Sequence, residues 1–324
     1  MEYRQLGHQG PLVPALGLGC MSMSDFYGPA DPGESVATIH RALDQGLTFL
    51  DTADMYGPHT NEELIGRAIA SRRDEVFLAT KFGVMRSADP AARSIDSTPA
   101  YARAACEASL RRLGVDHIDL YYLHRRDPAV PIEDTVGAMQ DLVTAGKIRH
   151  IGLSEVSADT LRRACATAPV AALQSEYSLW TRGLERGILP TAHRLGVTLV
   201  AYSPLGRGLM TGTGATTDTL DPHDIRRDHP RFQGDNLRTN LARAARLREL
   251  AHTMHCTPAQ LALAWILARP EGIVPLPGTR RRAHLDDNLG ALDVRLSPED
   301  LRAISDAVPE AAGARAPDSS RLER

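Results

Sequence analysis

The sequence predicts an α/β protein built as a closed (β/α)8 TIM barrel, and three observations carry that prediction. Eight short apolar, β-branched runs recur along the chain, and each is followed by an amphipathic helical pattern. Strict alternation of this kind requires a parallel sheet with right-handed crossovers, and eight units match a closed barrel better than an open doubly wound sheet. With 324 residues, 43% of them hydrophobic and 24% charged, the chain has enough apolar material to fill such a core.

The chain opens with a hairpin, Tyr3 to Leu6 and Pro11 to Val13, turning at Gly7-His8-Gln9-Gly10. The strands are Leu16 to Gly19, Thr48 to Asp51, Val76 to Lys81, Ile118 to His124, Ile148 to Ser154, Ala172 to Ser175, Thr198 to Tyr202 and Ile273 to Pro275. Helical patterns cover Glu34 to Gln45, Asn61 to Ser71, Pro99 to Leu113, Ile132 to Ala145, Ala158 to Ala168, Gly183 to Leu195 and Pro258 to Ala268. Asp31-Pro32 and Thr98-Pro99 read as helix starts, with a side-chain oxygen to cap and a proline in the first turn. Tyr121 and Tyr122, adjacent on a strand, must point to opposite faces. Extra C-terminal helices follow from Asn236 to His255, beyond the repeat, and from His284 to Gly290, after the last strand. The polar segment from Leu205 to Asp235 follows a strand and would form a lid at the C-terminal face. Residues 1–308 therefore form one domain, and the tail 309–324 is expected to be disordered.

Composition excludes several functions. A net charge of −3 lacks the positive field of a nucleic-acid binder. No apolar run approaches the roughly 20 residues of a bilayer span, and the first residues lack an export signal, so no membrane partner is expected. Cys20, Cys106, Cys165 and Cys256 form no paired motif, which fits the reducing cytoplasm and offers no thiolate metal site. His252 and His255 lie three apart on a helix without a third ligand and read as solvated. Of 37 basic residues only Lys81 and Lys147 are lysines. An arginine-rich chain that keeps an amine invites scrutiny of it, because lysine makes compact point contacts and titrates where arginine does not.

Polar residues at the C-terminal ends of barrel strands point into the ligand-facing mouth. Asp51, Lys81 and His124 end the second, third and fourth strands, and Tyr56 follows Asp51 on the adjoining loop. Together they suit proton delivery to an oxygen. A phenol's ordinary pKa is about 10, a neighbouring ammonium favours the phenolate, and a carboxylate keeps that ammonium charged. His124 would orient the reacting carbonyl oxygen through a hydrogen bond.

Asp51-x4-Tyr56, Lys81 and His124 resemble the catalytic tetrad of the aldo-keto reductase superfamily, and the resemblance spans almost the whole chain. Gly17-Leu18-Gly19-Cys20-Met21-Ser22, Gly146 to Ser154, Gln174 to Ser178, Ala201 to Gly208 and Pro277-Gly278-Thr279 leading to Asp287-Asn288 extend it. Met21-Ser22-x3-Phe26-Tyr27-Gly28, Leu153-Ser154-Glu155 and Pro230-Arg231-Phe232 are most similar to the microbial and plant branch of pyridoxal reductases and auxin-induced-type reductases.

The resemblance implies a barrel with the hairpin as a plug and a nicotinamide cofactor, NADPH, bound without a dinucleotide fingerprint. No Gly-x-Gly-x-x-Gly opens a helix here; Gly206-Arg207-Gly208 is the nearest imitation. It further implies that Ser154 and Gln174 meet the nicotinamide carboxamide, that Tyr202 stacks on the ring, and that Ser203, Pro204, Leu205, Gly206, Arg207 and Gly208 run along the pyrophosphate. Gly278, Thr279, Arg280, His284, Asp287 and Asn288 would surround the adenosine end, with Gly19, Cys20, Met21 and Asp51 as further contacts. Two departures stand out: Glu155 where many relatives have asparagine, and His284 where some have lysine or arginine, leaving Arg280 to Arg282 as the phosphate clamp. Phe26, Tyr27, Arg125 and Trp180 would line the substrate mouth.

The implied activity is NADPH-dependent reduction of an aldehyde or ketone, metal-free, with Tyr56 as general acid. A redox-sensing regulatory subunit that binds NADP(H) with little turnover is the alternative. A barrel hydrolase or lyase ranks last, because it leaves the cofactor-like segments without a role. Oligomeric state is not legible.

Overall fold

The computed structural model describes residues 1–8, 10–86, 93–212, 219–318 and 322–323. Eight parallel strands form its centre: Leu18–Gly19, Phe49–Asp51, Phe77–Phe82, Ile118–Leu123, Ile148–Ser154, Val170–Glu176, Thr198–Tyr202 and Val274–Leu276. Each pairs with its sequence neighbour, and the first meets the last through Gly17 N–H to Pro275 O and Gly19 N–H to Pro277 O, both 3.0 Å. The (β/α)8 architecture is thus as expected, with every strand within two residues of its predicted ends.

The barrel interior is filled by Phe49, Ala79, Leu120, Tyr122, Ala172, Val200, Val274 and Leu276. The hairpin Tyr3–Gln5 and Leu12–Pro14 adds Leu6 and Val13 to this cluster from the N-terminal end, so it is a plug. Tyr121, one residue from Tyr122, packs instead with the surrounding helices, as strand alternation requires. Gly152 has no alternative at its position: a Cβ there would sit 2.3 Å from the Tyr122 ring.

The helix Pro32–Asp44 is capped by Asp31, whose carboxylate accepts from the N–H groups of Gly33 and Glu34, and Pro99–Leu113 by Thr98. Between Gly183 and Arg194 the expected single helix breaks into a 3-10 turn and the short helix Ile188–Arg194. A hairpin, Val84–Arg86 with Arg93–Ile95, and the helix Pro298–Ala307 are additions that the periodicity did not reveal. Part of the Leu205 to Asp235 segment, residues 213–218, lies outside the described residues. Its described parts form short 3-10 turns before the long helix Gly234–Thr253. No helix among the described residues is long and apolar enough to cross a membrane.

In the tail, residues 309–318 and 322–323 are described, and 319–321 and 324 lie outside the described residues. Its described residues lie against the barrel: Ala311 N–H reaches Trp180 O at 3.2 Å, and Asn240 brackets Ala312 with two bonds of 2.8 and 3.0 Å. Arg315 forks onto Glu155 with bonds of 2.8 and 2.5 Å, and Glu323 meets Arg126 at 2.8 Å and Ser157 N–H at 2.9 Å. Scattered polar residues read as a solvated tail, but Arg315 finds the buried carboxylate of Glu155 and Glu323 the partly buried guanidinium of Arg126.

The Glu155 side chain is 1% exposed. Burial pushes its carboxyl up, and the bonds and charge of Arg315 outweigh that and hold it below the usual carboxylate range. Arg315→Ala is therefore expected to cost about 2–4 kcal/mol at pH 7, because it strands a buried carboxylate. A group with a depressed folded pKa stabilises above its unfolded value, about 4.3, and loses that contribution as pH falls through the folded one. Urea unfolding at pH 7 and near pH 3.5 checks this: the gap between wild type and variant should shrink at the lower pH, and no gap at pH 7 would refute the ion pair.

Candidate active site

Each strand end delivers its polar residue to the same rim. Lys81 is fully buried, and its ammonium donates to Asp51, to Thr52 O at 2.7 Å and to the Tyr56 hydroxyl at 3.5 Å. The second carboxylate oxygen of Asp51 accepts from Gln174 Nε2 at 2.8 Å. Tyr56 and His124 meet edge to face with ring centroids 5.9 Å apart. Asp51 and Lys81 are 3% and 0% exposed, while Tyr56 and His124 each retain 8%, so the phenol and imidazole face the mouth and the ion pair stands behind them.

Electrostatics follow from this layering. Burial works against the Lys81 charge, but Asp51 and then Tyr56 outweigh it and raise its pKa. The expectation for Tyr56 is corrected. Lys81 does pull the phenol down, yet burial pushes harder, and its pKa lies above the ordinary value. The group is a fully protonated phenol at neutral pH, the form an acid needs. Burial, reinforced by Arg125, Lys81 and Arg93, drives His124 well below its usual range, so its ring is neutral. Its Nδ1 is buried without a hydrogen-bond partner.

The expected cofactor residues sort into three groups around this centre. Ser154 and Gln174 lie on adjacent strands in register with one another, with Tyr202 half-buried at the end of the seventh strand. Ser154 Oγ accepts from Arg125 at 3.0 Å. Beyond these ends, Glu155, Ser203 and Arg207 take left-handed backbone at φ of 54°, 50° and 56°. Such strain in non-glycine residues concentrates where a loop must present its backbone to a ligand. Pro204, Leu205 and Gly206 are buried, Gly208 less so, and a Cβ at Gly206 would stand 2.9 Å from the Trp180 ring.

Where the first and last strands close the barrel, Gly19 bridges Gly278, Cys20 N–H bonds Asp51 O at 2.9 Å, and Met21 opens a 3-10 turn. Burial pushes the Cys20 thiol up to about 12, so it offers no thiolate at neutral pH. The Arg280 guanidinium gathers three carbonyls, Gly28 at 2.9 Å, Tyr27 at 3.1 Å and Ser22 at 3.3 Å, and among the described residues no carboxylate. Thr279 bonds the backbone of Arg281, His284 is exposed on the helix Arg282–Leu289, and Asn288 is buried.

Three candidates are placed differently from expectation. Trp180 is 1% exposed and packs beneath the Gly206 turn, so it is core rather than mouth lining. Asp287 is tied at 2.9 Å to Thr257, the cap of the helix Pro258–Leu267. Arg282 is spent on Glu34 with bonds of 3.2 and 2.9 Å, which removes it from the supposed clamp. Lys147 forms a surface ion pair with Glu107. Phe26 meets Tyr56 edge to face at 6.3 Å, and Tyr27 accepts from Arg207 at 3.4 Å.

Sequence reading overlooked Asn61, which bonds Thr52, Ser24 and Cys20 O beneath the rim. It also overlooked Asp25, whose carboxylate joins Arg86 to the Gly57 N–H, and Arg315. None sits at a strand end, so the barrel rule carried no signal for them. Among the described residues no cluster of three or more His, Cys, Asp or Glu could hold a metal.

Comparison with known proteins decides the family. The aldo/keto reductase family pattern matches residues 15–309. The chain belongs to the aldo/keto reductase family. It is 47% identical over 307 residues to "Probable aldo-keto reductase 1" of Glycine max, covering 94% of this chain and 88% of that protein. Among solved structures, the glycerol dehydrogenase AKR11B4 from Gluconobacter oxydans superposes with a TM-score of 0.85 at 31% identity, covering 94% of both chains. The aldo-keto reductase AKR11C1 from Bacillus halodurans, in its holo form, gives 0.79 at 27% identity, covering 96% of this chain and 98% of that one. Membership makes this aldo-keto reductase an oxidoreductase that uses a nicotinamide cofactor to reduce carbonyl compounds.

Proposed function

We propose that the enzyme reduces an aldehyde or ketone with NADPH, using Tyr56 as general acid. The observation that carries this reading is the stack of Asp51, Lys81 and Tyr56, with the ammonium 3.5 Å from the hydroxyl and neutral His124 alongside. The substrate's oxygen would lie between the Tyr56 hydroxyl and His124, both of which face the mouth. Tyr56 gives its proton to that oxygen as charge develops there, and the Lys81 ammonium stabilises the phenolate left behind. Asp51 and the Thr52 carbonyl hold the ammonium in place and keep it charged. Being neutral, His124 adds a hydrogen bond without a competing acid.

The residues present fit a dinucleotide. Among the described residues Arg207 reaches no carboxylate within 4 Å and Arg280 collects only carbonyls, so each holds a cation that a phosphate would neutralise. Ser154, Gln174 and Tyr202 would hold the nicotinamide, the Ser203 to Gly208 turn and Arg207 the pyrophosphate, and Arg280 with Thr279 the 2′-phosphate. When bound, the cofactor supplies the hydride to the carbonyl carbon.

The 2′-phosphate assignment predicts a preference of at least tenfold in kcat/KM for NADPH over NADH. Arg280→Met should remove most of it by raising KM for NADPH ten- to hundredfold, the worth of a charge-assisted hydrogen-bonding pair. Steady-state kinetics with both cofactors checks this, and equal use of the two by wild type would refute the assignment.

A further inference from the structure

Among the described residues, most charges around the mouth are paired. Asp51 is paired with Lys81, Asp25 with Arg86, Glu155 with Arg315, Glu176 with Arg231 at 2.9 Å and Asp224 with Arg226 at 2.6 Å. Arg207 and Arg280 reach no carboxylate among the described residues, and the proposed function gives them to cofactor phosphates. Arg125 also reaches none within 4 Å among the described residues, but it follows the fourth strand, whereas Arg207 and Arg280 follow the seventh and eighth. It directly follows His124, and among the described residues its guanidinium donates only to the His124 carbonyl and to Ser154 Oγ, at 3.0 Å for the latter. Its charge is felt by the Tyr56 hydroxyl and the His124 ring.

From these placements we infer that Arg125 is a specificity residue that binds the carboxylate of the substrate, so that the enzyme acts on short oxo acids carrying the carbonyl a few bonds from the acid group. The inference rests on the reductase reading and names its substrate class. With no carboxylate within 4 Å among the described residues, the half-buried guanidinium offers a fork of donors matched to a carboxylate. The Ser154 hydroxyl is only a neutral acceptor, and the nicotinamide carboxamide is expected to engage it. Its departure frees those donors toward the substrate. A substrate oxygen held by Tyr56 and His124 places the rest of a small molecule against the same strand end, within reach of a side chain that adjoins His124 in sequence. The two aromatic rings Phe26 and Tyr27 wall the other side.

The test compares succinic semialdehyde with butanal, which has the same chain length and no charge, in wild type, Arg125→Met and Arg125→Lys. Wild type should favour the semialdehyde by at least tenfold in kcat/KM. Arg125→Met should lose roughly ten- to hundredfold on it, mostly in KM, and at least tenfold less on butanal, and Arg125→Lys should restore part of the difference. Binding of succinate to the NADPH complex, followed by calorimetry, should weaken by a similar factor in Arg125→Met. Equal losses on both aldehydes, a wild-type preference for butanal, or unchanged succinate binding would overturn the inference. So would a matching loss of NADPH affinity, which would put Arg125 on the carboxamide. If neither aldehyde turned over, the reductase reading would be at fault, and the succinate measurement would still decide the role of Arg125.

Discussion

Replacing Tyr56 with phenylalanine is expected to lower turnover about 10²- to 10⁴-fold, the usual contribution of a positioned acid, while leaving cofactor affinity within a few-fold of wild type. The substitution removes one hydroxyl and keeps the ring against His124 and Phe26, so packing is preserved. NADPH oxidation with pyridoxal, an aryl aldehyde and methylglyoxal, wild type beside variant, is the direct measurement, with NADPH quenching of tryptophan fluorescence as the binding control. The pH profile supplies a second readout. Burial holds His124 neutral well below pH 6.5, so kcat/KM should show no break near an ordinary histidine value. Undiminished turnover in the phenylalanine variant would remove Tyr56 from the chemistry. Tight NADPH binding without turnover in wild type would favour a redox-sensing role.

Lys81→Met is expected to be the most damaging single change at the site. It leaves the Asp51 carboxylate buried beside Gln174 with no counter-charge, and breaking one side of a buried pair costs about 3–5 kcal/mol. In a chain of this length that lowers the melting temperature by roughly 10 °C, and turnover should fall with it, since the phenolate loses its stabilising cation. The double variant Lys81→Met/Asp51→Asn, which removes both charges, should recover most of the stability and none of the activity. Thermal unfolding of the three proteins separates the effects. A loss below about 1 kcal/mol in the single variant would mean that water reaches Asp51 and that the pair is not buried as described.

Much of the barrel was legible because its signals are local. The runs at Phe77–Phe82 and Ile148–Ser154 are apolar and bounded by turns, and Asp31 and Thr98 mark helix starts by short-range capping. The hairpin around Arg86 and Arg93 was not legible, because Val84-Met85-Arg86 and Arg93-Ser94-Ile95 form no apolar run bounded by turn residues of the kind that marks the other short strands. Trp180 misled for a related reason. An aromatic just past a strand end suits a ligand mouth, but whether it faces outward depends on the Gly206 turn that closes over it from another strand.

What the sequence determined by itself is the alternation of strand and helix and, with it, the rim on which Asp51, Lys81, Tyr56 and His124 meet, because periodicity and strand polarity dictate which ends face the mouth. Tertiary structure alone decided how the charges there are shared. Glu155 is neutralised by Arg315, 160 residues away, through a tail whose composition reads as solvated. Gln174 engages Asp51 across 123 residues, and burial leaves Tyr56 protonated despite its lysine. Coulombic pairing and desolvation depend on distance and exposure in three dimensions, and neither quantity is written in the spacing of residues along a chain.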